Sequence, residues 1–407
     1  MSSASFNVAE EARIYLGKIS ADLDRTVAFW LKNSHDDKNG GFFTCLTKDG
    51  KVYDTSKFGW LQGRQIWTYT QLYRRLERFR LPAILEAAID GGKFLMEKLK
   101  DTKSHKVCFS ANAQGEPTKI QRTLFAEVFY VMAMSGLAKV TNENIYKREA
   151  LEMFKLIIHW AREDDSDLGR PKLPSTGNHQ NLAVPMCILS LVHELDDLDI
   201  QESKLDMDEI RSWAVDRIKM HVQRQGTRIL ENVTQDGQEI DGFEGRKMVP
   251  GHAIECGWFL LKEAQKMQSH ELTTLAIQTF IERPYEYGWD KNEEGFLYFV
   301  DVDDLPPTNL EWDMKLWWPH SEAMIAFLMA FNTAQNASHW ERFKEVTDYA
   351  YEHFVDPDQG EWFGYLNRAG KVSSSAKGGP YKGCFHVPRA LLICEEILTK
   401  IVNDHEE

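Results

Sequence analysis

The stretch Met248-Val-Pro-Gly-His-Ala-Ile-Glu-Cys-Gly-Trp258 places His252 and Glu255 three residues apart, just behind a Pro-Gly break and at the start of an apolar run. On a helix, residues i and i+3 share a face, so both side chains point into whatever that helix end borders. A second histidine, His386, opens the last apolar segment in Cys384-Phe-His-Val-Pro-Arg-Ala390. Two imidazoles facing one carbon atom from opposite sides suit a specific chemistry. One, neutral, takes a proton from the carbon; the other, protonated, returns one to the opposite face.

Further groups recur at the same phase. Arg64 lies in Gly59-Trp-Leu-Gln-Gly-Arg-Gln-Ile-Trp67, and His320 with Glu322 in Trp317-Trp-Pro-His-Ser-Glu-Ala323. Arg64 reads equally as half of a structural ion pair or as a cation beside a developing oxyanion. A lone histidine at a helix start is more often a cap or a packed residue, but recurrence at one phase favours function. His105, His159, His193, His221, His270, His339, His353 and His405 lack that context and read as surface or packing; His179 and His320 fit either reading. Trp60, Trp67, Trp258, Trp317, Trp318 and Tyr381 read mostly as packing, with one or two free to stack on a ligand. Imidazoles and carboxylates also suit zinc, manganese or iron, yet no H-E-x-x-H is present, and no metal is expected. Gly169-Arg-Pro-Lys-Leu-Pro-Ser-Thr-Gly177 is a poor phosphate loop, since it follows no strand.

The elements that must position these groups are helices. Apolar spacing marks about twelve segments, near 8–33, 60–80, 83–100, 121–138, 144–162, 178–196, 206–225, 251–268, 271–287, 319–335, 338–355 and 383–402. Between them, Asp36-Asp-Lys-Asn-Gly-Gly-Phe-Phe43 is echoed by Asp290-Lys-Asn-Glu-Glu-Gly-Phe296 and by Asp356-Pro-Asp-Gln-Gly-Glu-Trp362. Each reads as a helix exit, a glycine turn and an aromatic strand. Turns at Asp49-Gly50 and Ala369-Gly370 complete two hairpins, and Asp236-Gly237 marks a weaker one. Repeated helix–hairpin–helix units build either an open solenoid or a closed toroid. The aromatic load of the connections favours closure: an all-α (α/α)6 barrel, one domain over residues 1–407, with short β-hairpins walling a pocket at one end. The acidic run Glu194-Leu-Asp-Asp-Leu-Asp199 is expected to be a solvated turn, and His405-Glu-Glu407 a frayed tail.

The 407 residues, 43% apolar and 12% aromatic, can bury a sizeable core. A net charge of −14 argues against a nucleic-acid partner. No stretch is long enough to span a membrane, and the first residues lack a signal-peptide pattern. The six cysteines are scattered with no C-x-x-C pair, which points to reduced thiols and a cytoplasmic location.

With these motifs in hand, the chain resembles one family. Gly63-Arg-Gln-Ile-Trp67, Ala183-Val-Pro-Met186, Gly251-His-Ala-Ile-Glu255, Trp317-Trp-Pro-His-Ser-Glu322 and Phe385-His-Val-Pro-Arg389 are similar, in order and spacing, to the N-acylglucosamine 2-epimerases, also described in mammals as renin-binding proteins. The resemblance spans about residues 8–402. It implies an (α/α)6 barrel, usually a homodimer, that interconverts N-acetylglucosamine and N-acetylmannosamine. It implies no cofactor for the chemistry, ATP as an activator that is not consumed, and renin as a partner of mammalian relatives. Residue by residue, it carries the two acid/base histidines onto His252 and His386, the catalytic arginine onto Arg64 and a functional glutamate onto Glu322. Glu255, Trp318, Trp60, Tyr381 and Lys382 are expected to bind substrate. Cellobiose 2-epimerases and aldose–ketose isomerases, related branches, carry a further histidine on the helix that here reads Asn181-Leu-Ala-Val-Pro-Met186. Its absence favours an acylamino sugar, with those branches as the alternative. A glycoside hydrolase using Glu255 and Glu322, a metal-dependent isomerase and a non-catalytic interaction protein are the other readings.

Overall fold

The computed structural model describes residues 8–170, 179–199 and 203–404. Among them twelve helical segments form six pairs. The odd members are α1 (Val8–Asn33), α3 (82–99), α5 (Asn144–Arg162), α7 (Met207–Lys219), α9 (270–288) and α11 (Ala337–His353). The even members are α2 (Gly59–Arg75), α4 (Phe125–Thr141), α6 (Ala183–Leu195), α8 (Pro250–Met267), α10 (Trp317–Ala334) and α12 (His386–Asp404). Each even helix packs on the next, and α12 returns to α2, closing an inner ring. Each odd helix packs outside it.

Sequence pattern decides which ring a helix joins. Helix α4 buries every residue from Ala126 to Ala138, and α10 every residue from Trp317 to Leu328. A helix apolar all round has no face to offer water and must lie inside. Helix α5 instead buries one stripe, including Tyr146, Ala150, Phe154, Ile157 and Trp160, as an outer helix should. Inner helices approach closely where side chains are missing: a Cβ on Gly63 of α2 would meet the Phe129 carbonyl oxygen of α4 at 2.4 Å.

Two of the three expected hairpins form as read. Cys45–Leu46 pairs with Val52–Asp54 around Gly50 (φ 81°), and Tyr365–Leu366 with Val372–Ser374 around Gly370 (φ 74°). Asp236-Gly237 does turn, but Asn232–Thr234 pairs with His179–Asn181. Residues 179–181, expected to start a helix, are therefore a strand, because they supply the partner that edge needs. The three echoed loops are anchored alike. Asp36 meets Lys57 at 2.6 Å, Asp356 meets Lys377 at 2.9 Å and Asp290 meets Lys315 at 3.8 Å, each lysine side chain being fully buried. Lys57 and Lys315 stand two residues before inner helices α2 and α10, so two of these ion pairs fix where an inner helix begins.

The acidic turn after α6 is more constrained than a solvated loop. Asp196 meets Arg211 at 2.7 Å and Lys266 at 2.6 Å. Among the described residues no helix is long and apolar enough to cross a membrane, and all six cysteines are unpaired. The 405–407 tail and residues 171–177 of the Gly- and Lys-bearing stretch lie outside the described residues.

Candidate active site

A cavity of about 770 Å³ opens at the N-terminal ends of the inner helices. Every inner helix lends its first two or three turns to it: Trp60 and Arg64 from α2, Phe129 and Met132 from α4, Met186 and Cys187 from α6, His252 and Glu255 from α8, Trp317 and Trp318 from α10, His386 and Arg389 from α12. Residues more than three hundred positions apart thus share one space, as the repeat predicts.

His386 stands against the most connected part of the wall. Its Nδ1 lies 2.8 Å from Glu322 Oε1, and Trp258 Nε1 donates to the other oxygen at 2.9 Å. Arg389 Nη2 lies 2.6 Å from Glu322 Oε1 and 2.5 Å from Glu255 Oε1. With Nδ1–H donated to Glu322, Nε2 carries the lone pair on the ring edge left for a ligand. Burial, reinforced by the Arg64 and Arg389 charges, holds His386 well below its ordinary pKa, so it is neutral near pH 7.

His252 is biased the other way. Its Nδ1 lies 3.1 Å from both oxygens of Glu231. Burial works to lower its pKa, but the charge and hydrogen bond of Glu231, together with the Glu255 charge, outweigh burial and raise it. Trp318 lies against both imidazoles, with ring centroids 5.2 Å from His252 and 5.9 Å from His386. A Cβ on Gly251 would touch that indole at 2.6 Å, so glycine is required for Trp318 to lie there.

Among the described residues Arg64 makes no ion pair or side-chain hydrogen bond. Its guanidinium carbon lies 4.5, 4.1 and 4.7 Å from the rings of Trp60, Phe129 and Phe385, and its Nε is buried without a partner. Burial lowers its pKa to about 9, which leaves it cationic at neutral pH. Three π faces stabilise the cation and leave its N–H donors uncommitted toward the cavity. Trp60 and Tyr381 meet at the rim, ring centroids 6.1 Å apart, with Tyr381 60% exposed.

The expected site residues therefore converge, with three adjustments. Glu322 is fully buried behind His386 and does not line the cavity; its carboxylate meets that imidazole, not the open space. Lys382, expected to bind substrate, is also fully buried: its Nζ lies 2.7 Å from Glu361 Oε1 and 2.8 Å from the Lys377 carbonyl, away from the cavity wall. His320, which fitted either reading, is a packing residue. Nδ1 bonds the Leu316 carbonyl at 2.7 Å and Nε2 accepts the Phe296 N–H at 2.9 Å.

Donor atoms of Glu255, Glu322 and His386 lie within 4.8 Å of one another, close enough to hold a metal. Arg389 Nη2 bonds both carboxylates, so its guanidinium stands where a metal cation would sit. The same contacts disfavour a glycoside hydrolase, which needs two carboxyl groups on opposite sides of a bond, at least about 5 Å apart. Sequence reasoning assigned no role to Arg389 or Glu231. Arg389 could have been found three residues after His386, on the same helix face. Glu231 offered only one signal, a carboxylate directly after the apolar pair Ile229-Leu230, between two short strands.

The profile of the family described as N-acylglucosamine 2-epimerase (GlcNAc 2-epimerase) matches residues 41–390. The N-acylglucosamine 2-epimerase of Bos taurus is 49% identical over 395 residues, covering 97% of this chain and 93% of the relative. The chain belongs to the N-acylglucosamine 2-epimerase family. It is an epimerase, of the isomerase class. The human N-acylglucosamine 2-epimerase is 47% identical over 395 residues, covering 97% of this chain and 92% of that one. The fold is shared more widely: a cellobiose 2-epimerase from Bacillus thermoamylovorans superposes with a TM-score of 0.81 at 19% identity, covering 94% of this chain and 99% of that structure. The (α/α)6 architecture expected from the sequence is therefore the architecture observed.

Proposed function

We propose that the protein interconverts N-acetyl-D-glucosamine and N-acetyl-D-mannosamine by moving a proton at C2 of the open-chain sugar between His386 and His252. The observation that carries the reading is that two imidazoles, each held at Nδ1 by its own buried carboxylate, share one cavity and pack on one indole, Trp318.

The C2 proton is acidic only when C1 is a free aldehyde, so the open-chain form reacts. For one epimer, Nε2 of His386 takes the C2 proton. The C–H electron pair forms the C1–C2 double bond, and the carbonyl pair moves onto O1. The uncommitted donors of Arg64 meet that oxyanion, whose charge exists only during reaction. Protonated His252 then delivers its proton to the opposite face of C2, and O1 returns to a carbonyl. The other epimer runs the steps backwards. Electrons balance without a redox cofactor.

Met132, Met186 and Cys187 line the cavity, and an acyl methyl suits such surface. They include the α6 wall where the related branches carry a histidine. Identity near 49% to N-acylglucosamine 2-epimerases, against 19% to the cellobiose 2-epimerase, points the same way.

The test is proton NMR of N-acetylmannosamine incubated with the protein in deuterium oxide, with and without ATP. N-acetylglucosamine carrying deuterium at C2 is expected. Product without C2 deuterium would overturn the proton-exchange step, and equal rates in both arms would remove ATP as an activator.

A further inference from the structure

Two histidines in one cavity need a reason to differ in charge, and the groups around them supply it. Glu322, the carboxylate behind His386, is shared: Arg389 and Trp258 both bond it. Its negative charge is largely matched before His386 meets it, and Arg64 and Arg389 add positive charge near that ring. Glu231, behind His252, meets no guanidinium among the described residues. Its other side-chain partner is a neutral amide, Asn181 Nδ2 at 3.1 Å from Oε1.

Glu231 is also held in place. Its N–H donates to the Lys247 carbonyl and its carbonyl accepts the Leu182 N–H, both at 2.9 Å. On either side, Leu230 bonds to His221, and Asn232–Thr234 pairs with His179–Asn181. The side chain is 6% exposed, against 29% for His252. A carboxylate so buried and so pinned has one ionisable group within hydrogen-bonding reach.

We infer that Glu231 positions His252 and keeps it cationic as the resting proton donor, while Arg389, by engaging Glu322, leaves His386 the neutral acceptor. Glu231 is thus a positioning residue for the reaction proposed above, and the inference rests on that two-histidine reading. The other charged groups near His252 leave this balance intact. Glu255, on the same helix, acts in the same direction as Glu231 and is bonded to Arg389. Lys247 opposes the imidazolium, as does His386 across the cavity when it is protonated. His221, beside Glu231, is held neutral by burial, with Nδ1 on the Leu230 carbonyl and Nε2 on Gln180. Around His386, a further carboxylate, Glu255, is held by Arg389 too.

The reading has a kinetic signature. In kcat/KM the rising limb of the pH profile belongs to His386 and the falling limb to His252, and both directions share the limbs because their ratio is the fixed equilibrium constant. Glu231→Gln should move the falling limb toward acid by about one unit or more, the effect of removing an opposite charge from contact. Glu231→Asp should keep that limb near its wild-type place with a lower maximum. An unmoved falling limb in Glu231→Gln would overturn the inference. An independent measurement follows the His252 ring protons by NMR in the wild-type protein, assigned by their loss in His252→Asn. Titration above about 6.5, the free histidine value, is expected; titration at or below it would overturn the inference even if Glu231→Gln failed to fold. Failure of the two-histidine reading looks different: wild-type product without C2 deuterium, or full activity in His252→Asn.

Discussion

Nδ1 of His386 lies 2.8 Å from Oε1 of Glu322, a carboxylate with no exposure to solvent. This contact sets which nitrogen of His386 carries its proton, and hence whether Nε2 can accept one. Glu322→Gln puts an amide there. To keep the Trp258 bond, the amide oxygen must face the indole, and its NH2 then faces His386 and Arg389. The imidazole is driven to the other tautomer, with Nε2–H toward the substrate. We expect kcat to fall by about 10³ to 10⁴, the scale seen when a catalytic histidine is given the wrong tautomer, with KM changed little. Steady-state rates on N-acetylmannosamine check this.

Arg64 separates catalysis from stability. A half-buried guanidinium with no ion pair among the described residues and a buried, unpartnered Nε costs folding free energy, only partly offset by its three aromatic faces at about 0.5 to 2 kcal/mol each. Arg64→Met keeps the length, fits among the rings and removes the charge. The expected outcome is kcat lower by about 10² to 10³, as for loss of an oxyanion donor, with an unchanged or higher thermal midpoint. A large drop in midpoint would show that the arginine is structural.

Much of this was legible in the sequence because repetition was. Helix period, the Asp-to-Gly echoes and the Gly50 and Gly370 turns fix the helix pairs, and a closed ring brings His252, His386, Arg64 and Glu255 together. Partners that are neighbours only in space were not legible. Glu231 reaches His252 from a hairpin 21 residues earlier in the chain, and nothing in its own segment marks the contact. Lys382 misled for the opposite reason. It stands between rim residue Tyr381 and the His386 motif, but the chain turns there and sends its ammonium inward to Glu361.

Gly251 tests the placement of Trp318. An added methyl would meet the indole at 2.6 Å and Pro319 at 3.0 Å. Neither can yield easily, since both belong to the buried start of α10. Gly251→Ala should displace Trp318 from both histidines and lower kcat by tenfold or more. The overpacking should cost about 1 to 3 kcal/mol. Near-UV circular dichroism and tryptophan fluorescence report the displacement, and denaturant titration the stability.

His320 gives the fold a pH dependence of known sign. Burial lowers its pKa from 6.5 to about 3. Between those values the unfolded chain binds a proton that the folded protein refuses, so stability falls as pH drops below 6.5 and levels off near 3. One such fully buried group contributes a loss on the order of 4 kcal/mol over that window. Denaturant midpoints measured from pH 7 to pH 4 should therefore decline. His320→Asn should start lower at pH 7 and decline less steeply, having lost this linkage; an unchanged slope would assign the acid sensitivity to other groups.

Adjacent residues Tyr381 and Lys382 should fail in opposite ways. Tyr381 is 60% exposed at the cavity rim and touches Trp60. Tyr381→Ala should leave stability within about 0.5 kcal/mol. It should raise KM roughly two- to tenfold, the worth of one aromatic contact of about 0.5 to 1.5 kcal/mol. Lys382 is fully buried, and its partner Glu361 is also held by Trp30 Nε1 and the Trp362 N–H. Lys382→Met strands that carboxylate, at a cost of about 3 to 5 kcal/mol. The fraction that remains folded at low temperature should keep the wild-type KM. A raised KM in folded Lys382→Met, with stability intact, would return the lysine to the substrate site.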